Sequence, residues 1–141
     1  MKPAWQAGLA VAGLAALLSA GYLLQPRTAA PVQRYQCTDL TQPCPVELAG
    51  QRYQLQAASA PSALRPFRLS LRGTTPPDTL SVRFGMQGME MGPIAFPLPK
   101  QADGSAAANI VLPYCVQGRR DWWLRLESAD AAIEVAFQAA G

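Results

Sequence analysis

The sequence predicts an all-β domain, an antiparallel sandwich, carried behind one N-terminal transmembrane helix. Three observations predict it. No charged side chain occurs between Lys2 and Arg27, and the stretch between them is rich in Ala and Leu. From Arg34 onward apolar residues recur with period two, the spacing of strands with one buried and one wet face. Clusters of Gly, Pro, Asp and Ser separate the alternating runs. The 141 residues suit one compact domain plus an appendage. With 50% hydrophobic and 15% charged residues, the chain has enough apolar surface to fold.

Residues 4–24 form the apolar stretch. As a helix it would reach about 30 Å, enough to cross a hydrocarbon core. A cleaved signal peptide needs a shorter apolar core and a small-x-small site. Leu18-Ser19-Ala20 places a large residue where a small one is wanted, and Thr28-Ala29-Ala30 is followed by Pro31. An uncleaved anchor over residues 1–25 is therefore the expectation, with a cleaved signal as the alternative. Lys2 would stay in the cytoplasm by the positive-inside rule, against the weaker pull of Arg27. Either reading exports the rest of the chain. Residues 26–33, with two Pro, read as a short linker. Residues 34–141 are the exported domain.

The alternation is explicit in six places. Tyr53 and Leu55; Phe67, Leu69 and Leu71; Leu80, Val82 and Phe84; Ile94, Phe96 and Leu98; Trp122, Leu124 and Leu126; and Ile133, Val135 and Phe137 each alternate with smaller or polar neighbours. Turns fall at Ala49-Gly50, Arg72–Asp78, Asp103-Gly104-Ser105 and Gln117-Gly118-Arg119. The pattern predicts roughly seven to eight short strands, which is sandwich-like. Pro97 and Pro99 cannot donate ladder hydrogen bonds, so the strand around Ile94–Leu98 is expected at a sheet edge.

Composition narrows the chemistry. His is absent, which excludes a Ser-His-Asp triad, a Cys-His dyad and any metal site needing imidazole. Carboxylates are scattered singly, and no Gly-rich phosphate loop precedes a helix, so the expectation is a non-enzyme. The net charge of +3 comes from charges spread along the chain, without a basic run interleaved with aromatics, so nucleic acid is not an expected partner.

Three Cys in an exported chain permit one bridge and leave one thiol. Cys37 and Cys44 enclose six residues, and their proximity makes them the first choice. Closing so small a loop contributes about 2–3 kcal/mol in the chain-entropy model. Cys44–Cys115 is the rival. A leftover Cys115 reads either as a buried inert thiol or as a functional one.

Three of the four Met fall in Met86-Gln87-Gly88-Met89-Glu90-Met91-Gly92. Thioethers are soft ligands that select Cu(I) and need no imidazole. In an extended segment Met89 and Met91 would point the same way, with Met86 joining from a turn at Gly88. A site of three thioethers, or of two with the Cys115 thiolate, is the metal reading. The other reading is packing: Met86 continues the Leu80, Val82, Phe84 series, and Met fills gaps in cores. Arg119, Arg120 and Trp123 read either as a partner-docking patch, since Trp and Arg are frequent at hot spots, or as a solvated turn beside one core Trp.

Phe84–Gly92, then Ile110-Val111-Leu112-Pro113-Tyr114-Cys115, then Gly118–Trp122, resemble the FixH/YtkA-like proteins, small membrane-anchored exported proteins. The resemblance covers the anchor and roughly residues 65–140. It implies an immunoglobulin-like or cupredoxin-like sandwich, with a Met turn after one strand and a Gly-x-x-x-Trp hairpin before the last strands. Met86, Met89 and Met91 match the Met turn and Trp122 matches the hairpin Trp. Relatives are implicated in assembling haem-copper oxidases or delivering copper to them. The chain departs from that pattern in carrying Cys37, Cys44 and Cys115. The resulting expectation is a single-pass protein of the bacterial inner membrane, its domain in the periplasm. It would bind Cu(I) through Met86, Met89, Met91 and Cys115 and serve a copper-containing oxidase or another copper protein. The alternative is a non-metal interaction module of a membrane complex.

Overall fold

The structure, a computed structural model, describes residues 31–141, without the side chains of Glu90, Met91 and Pro93. The predicted anchor at 4–24 and most of the linker lie outside the described residues. The described part is all-β. Its nine strands are β1 (Gln33–Gln36), β2 (Cys44–Leu48), β3 (Gln51–Ala57), β4 (Phe67–Gly73), β5 (Leu80–Met86), β6 (Met89–Pro97), β7 (Ala106–Ile110), β8 (Asp121–Ser128) and β9 (Ala132–Gln138).

That is more strands than the alternation predicted. The additions are β1, too short and polar to show a period, and β7, whose Ala-Ala-Ala-Asn-Ile carries little amplitude. β2 does alternate, Cys44, Val46 and Leu48 facing in, but Pro45 and its length of five obscure it.

Two sheets form, one of five strands in the order β1-β9-β8-β5-β6 and one of four in the order β2-β3-β4-β7. All pairings are antiparallel except β1 on β9. β6 lies at an edge, as its prolines required. Inward residues of both sheets make one hydrophobic cluster. Phe84 is one of its buried members. It meets Phe67 of the other sheet edge-on at 6.4 Å, and Phe96 and Phe137 of its own sheet at 6.1 and 6.3 Å. Edge-on contacts of this kind match positive ring edges to negative faces.

The registers define two ends. At one, Gln87 N–H donates to the Asp121 carbonyl (3.3 Å), Ala139 N–H to Arg120 (2.9 Å), Ala140 N–H to Pro61 (2.7 Å) and Leu64 N–H to Leu112 (2.9 Å). These bonds gather the β5–β6 turn, the segments 61–65 and 111–120, and the chain after β9. This is the methionine end. At the opposite end lie the Ala49-Gly50 turn, the loop from Gly73 to Leu80 and the β8–β9 turn. Gln33 pairs with Ile133 at the start of β9, so the chain enters the domain at this opposite end.

Cys37 and Cys44 are disulfide-bonded, with Cα atoms 6.1 Å apart. Cys37 follows β1 in one sheet and Cys44 opens β2 in the other. The bridge therefore pins a four-residue edge strand, whose own ladder is short, to the second sheet. Cys115 is the free cysteine, so the Cys44–Cys115 pairing does not form.

Candidate functional site

The methionine turn is a β-hairpin whose loop is two residues long. Met86 and Met89 are cross-strand partners, and Gln87-Gly88 connects them. Gly88 takes φ +69°, a left-handed value that glycine adopts without steric cost. Pairing resumes only at Phe84 and Ile94. Between these pairs β5 has one residue, Gly85, while β6 has residues 90–93. The ladder bulges there, next to Pro93, which has no N–H to donate. Met91 lies in this bulge, within the strand that runs from Met89 to Pro97.

The two described thioethers differ in exposure. Met86 is 1% exposed and fills the core beside Phe84, as the continued Leu80, Val82, Phe84 series implied. Met89 is half-buried and packs on the rim of the same cluster. Cross-strand partners share a face, so both side chains lie on the core side of the hairpin.

Cys115 is also half-buried against the core, on the segment 111–120 of the same end. It opens a tight turn in which Gly118 N–H donates to the Cys115 carbonyl at 3.0 Å, with Gly118 at φ +65°. This turn is not a hairpin. β7 before it pairs with β4 and β8 after it pairs with β5 and β9, so the segment crosses between sheets. The sequence pattern around a Gly and a Trp could not reveal which sheet each strand joins.

Arg119, Arg120 and Trp123 have different surroundings. Arg119 and Asp121 are paired, Arg119 Nε donating to Asp121 Oδ1 at 2.9 Å and Nη2 to Oδ2. The hydrogen bond from Arg119 holds the Asp121 carboxyl below its ordinary value. The same bond raises Arg119, with a smaller contribution from Cys115. Trp122 is buried in the core, and Trp123 lies on the other face. There the indole covers the bare backbone of Gly85, where a Cβ would lie 2.2 Å from Trp123 Cζ2. Its Nε1–H donates to the Met86 carbonyl at 3.1 Å, and the Arg125 guanidinium approaches the ring at 6.0 Å. Trp123 thus braces the methionine hairpin from outside. Arg120 is exposed and outside every ion pair of the described residues.

Sequence reasoning missed four residues of this end. Leu64, Val111, Tyr114 and Val116 are the exposed large hydrophobics of the described residues, at 68%, 43%, 65% and 87%. All four lie on segments 61–65 and 111–120. No periodicity marks them, because they sit between strands.

Among the described residues no group of three or more His, Cys, Asp or Glu side chains converges. Clefts of about 420 and 560 Å³ open beside β2–β3 and at the chain-entry end, and neither is lined by Met or Cys. The described sulfur side chains at the methionine end are those of Met86, Met89 and Cys115. No family model, curated protein or solved structure matches this chain.

Proposed function

We propose that the chain is a membrane-anchored periplasmic accessory protein of the bacterial inner membrane. Its immunoglobulin-like or cupredoxin-like sandwich binds Cu(I) at the methionine end and passes it to a copper-containing oxidase or another copper protein. The observation that carries this reading is the hairpin register that makes Met86 and Met89 partners, with the free Cys115 at the same end. Two thioethers and a thiol are a donor set for a soft monovalent ion, and no histidine competes. Met89 and Cys115, both half-buried, are the more accessible of the described donors, and Met91 completes the proposed set. Met86 is the least accessible, so it packs first and coordinates only if it turns outward. The thioethers bind copper without losing a proton, while the Cys115 thiol gives one up on joining them.

Reduced full-length protein in detergent, titrated with Cu(I) against a colorimetric Cu(I) chelator, tests this. Wild type should compete for about one equivalent. The Met89→Ala, Met91→Ala double variant should lose most of that competition, and Cys115→Ser should weaken it further. If the wild type and the double variant compete equally, the metal reading is wrong. A non-metal module acting through edge strand β6 and the Arg119–Trp123 region then becomes the better account.

A further inference from the structure

We infer that the methionine end is a docking surface for another protein, one that presents an apolar patch bordered by carboxylates. Scattered exposed apolar residues are ordinary on protein surfaces. Here they are gathered instead. The exposed large hydrophobics of the described residues all fall on two segments that the Leu64 N–H to Leu112 carbonyl bond and the Ala63–Leu112 bridge tie together. Leu112 is fully buried, while its neighbour Val111 is exposed. Gathering of this kind marks interaction sites.

Leu64 supplies an independent sign. Its φ is +61°, in the left-handed region where a branched aliphatic residue is strained. Asn or Gly would fit that backbone at lower cost, yet a leucine stands there with most of its side chain in water. Strain retained at an exposed apolar side chain points to a use for that side chain.

Charge selects the occupant. Segments 61–65 and 111–120 contain Arg65, Arg119 and Arg120 and no Asp or Glu. Arg119 is satisfied by Asp121, while Arg65 and Arg120 are exposed and outside the ion pairs of the described residues. A second copy of this surface would oppose cation to cation. A partner with carboxylates around an apolar centre matches it, and Tyr and Arg are the residue types that concentrate energy in such contacts. The docking surface does not depend on copper.

The test is in-cell photo-crosslinking of the full chain, at its natural level, in the cells that make it. A benzophenone-bearing residue is placed at position 64 or 116, or at position 79 of the opposite end. Positions 64 and 116 should each give one discrete adduct with the same second protein, and position 79 none. The crosslinked peptide of that protein should carry Asp or Glu beside apolar residues. With the probe at 116, the Arg65→Glu, Arg120→Glu double variant should lower adduct yield about tenfold, and so should Leu64→Asn. Asn accepts the left-handed backbone, so Leu64→Asn should keep the melting temperature. The adduct should form equally in cells grown with a Cu(I) chelator, which separates docking from the metal reading. An adduct with lipid alone, with a second copy of this chain, or equally from position 79 would overturn the inference. So would no adduct, or one indifferent to charge reversal.

Discussion

At the end where the chain enters, the loops close on polar contacts. Ser105 donates its hydroxyl to Asp103 at 2.7 Å and its N–H at 3.0 Å, which holds that carboxyl below its ordinary value. Lys100 does the same for Asp78 at 2.5 Å. The Tyr53 hydroxyl donates to the Thr75 carbonyl at 2.8 Å. At the methionine end the loops instead expose Leu64, Tyr114 and Val116 and hold a free thiol and a half-buried thioether. The same two sheets supply both ends. The difference therefore lies in the connections, which are where a rigid scaffold can carry function at little cost to its core.

Each end also has a glycine covered by an aromatic ring, and these pairs make the comparison testable. The largest expected effect is at Met86. Met86→Ala removes a side chain with 1% exposure and should cost about 2–4 kcal/mol by chemical denaturation. Met89→Ala, at the rim, should cost under about 1 kcal/mol. Equal losses would mean that both thioethers serve packing alone.

Next is Gly85→Ala, whose Cβ would overlap the Trp123 ring. A cost of about 1–3 kcal/mol is expected. In the Trp123→Ala background the same change should cost far less, because the obstruction is a side chain. At the other end, the Cβ of Gly73→Ala would meet both the Tyr53 ring at 2.3 Å and the Arg52 carbonyl at 2.9 Å. Trimming Tyr53 should not rescue it, since backbone remains in the way. Rescue at both glycines, or at neither, would break the contrast.

The smallest effect is in acid. Asp121 has a lowered folded pKa, so its contribution is present above its ordinary value near 3.8 and is lost as pH falls through the lowered value. Thermal melts of Asp121→Asn should show a shallower loss of stability than wild type below that pH. The pair is solvent-exposed, so the change should be slight. Asp103→Asn at the opposite end should behave in the same direction.

Much of this was legible in the residues. Period two in β3, β4, β5, β8 and β9 identified the strands, because alternation is a direct consequence of one face being buried. Pro97 marked the edge strand, because a missing N–H is a local fact. Cys37 and Cys44 were the nearest pair in sequence and are the pair that bonds. The methionine site was legible as composition but not as arrangement. Nothing in Met86–Gly92 says that Gly85 lies bare beneath the ring of Trp123, 38 positions away, because that contact depends on the pairing of β5 with β8.

By itself the sequence determined the all-β class, the edge position of β6, the absence of imidazole chemistry and the sulfur content of one turn. These follow from local stereochemistry and residue identity. Only the tertiary structure decided that Met86 faces inward while Met89 reaches the rim, that Arg119 is neutralised by Asp121, and that four apolar residues from separate loops share one end. Those outcomes depend on which strands pair and in which register, and register is set by the fit of both sheets to a common core.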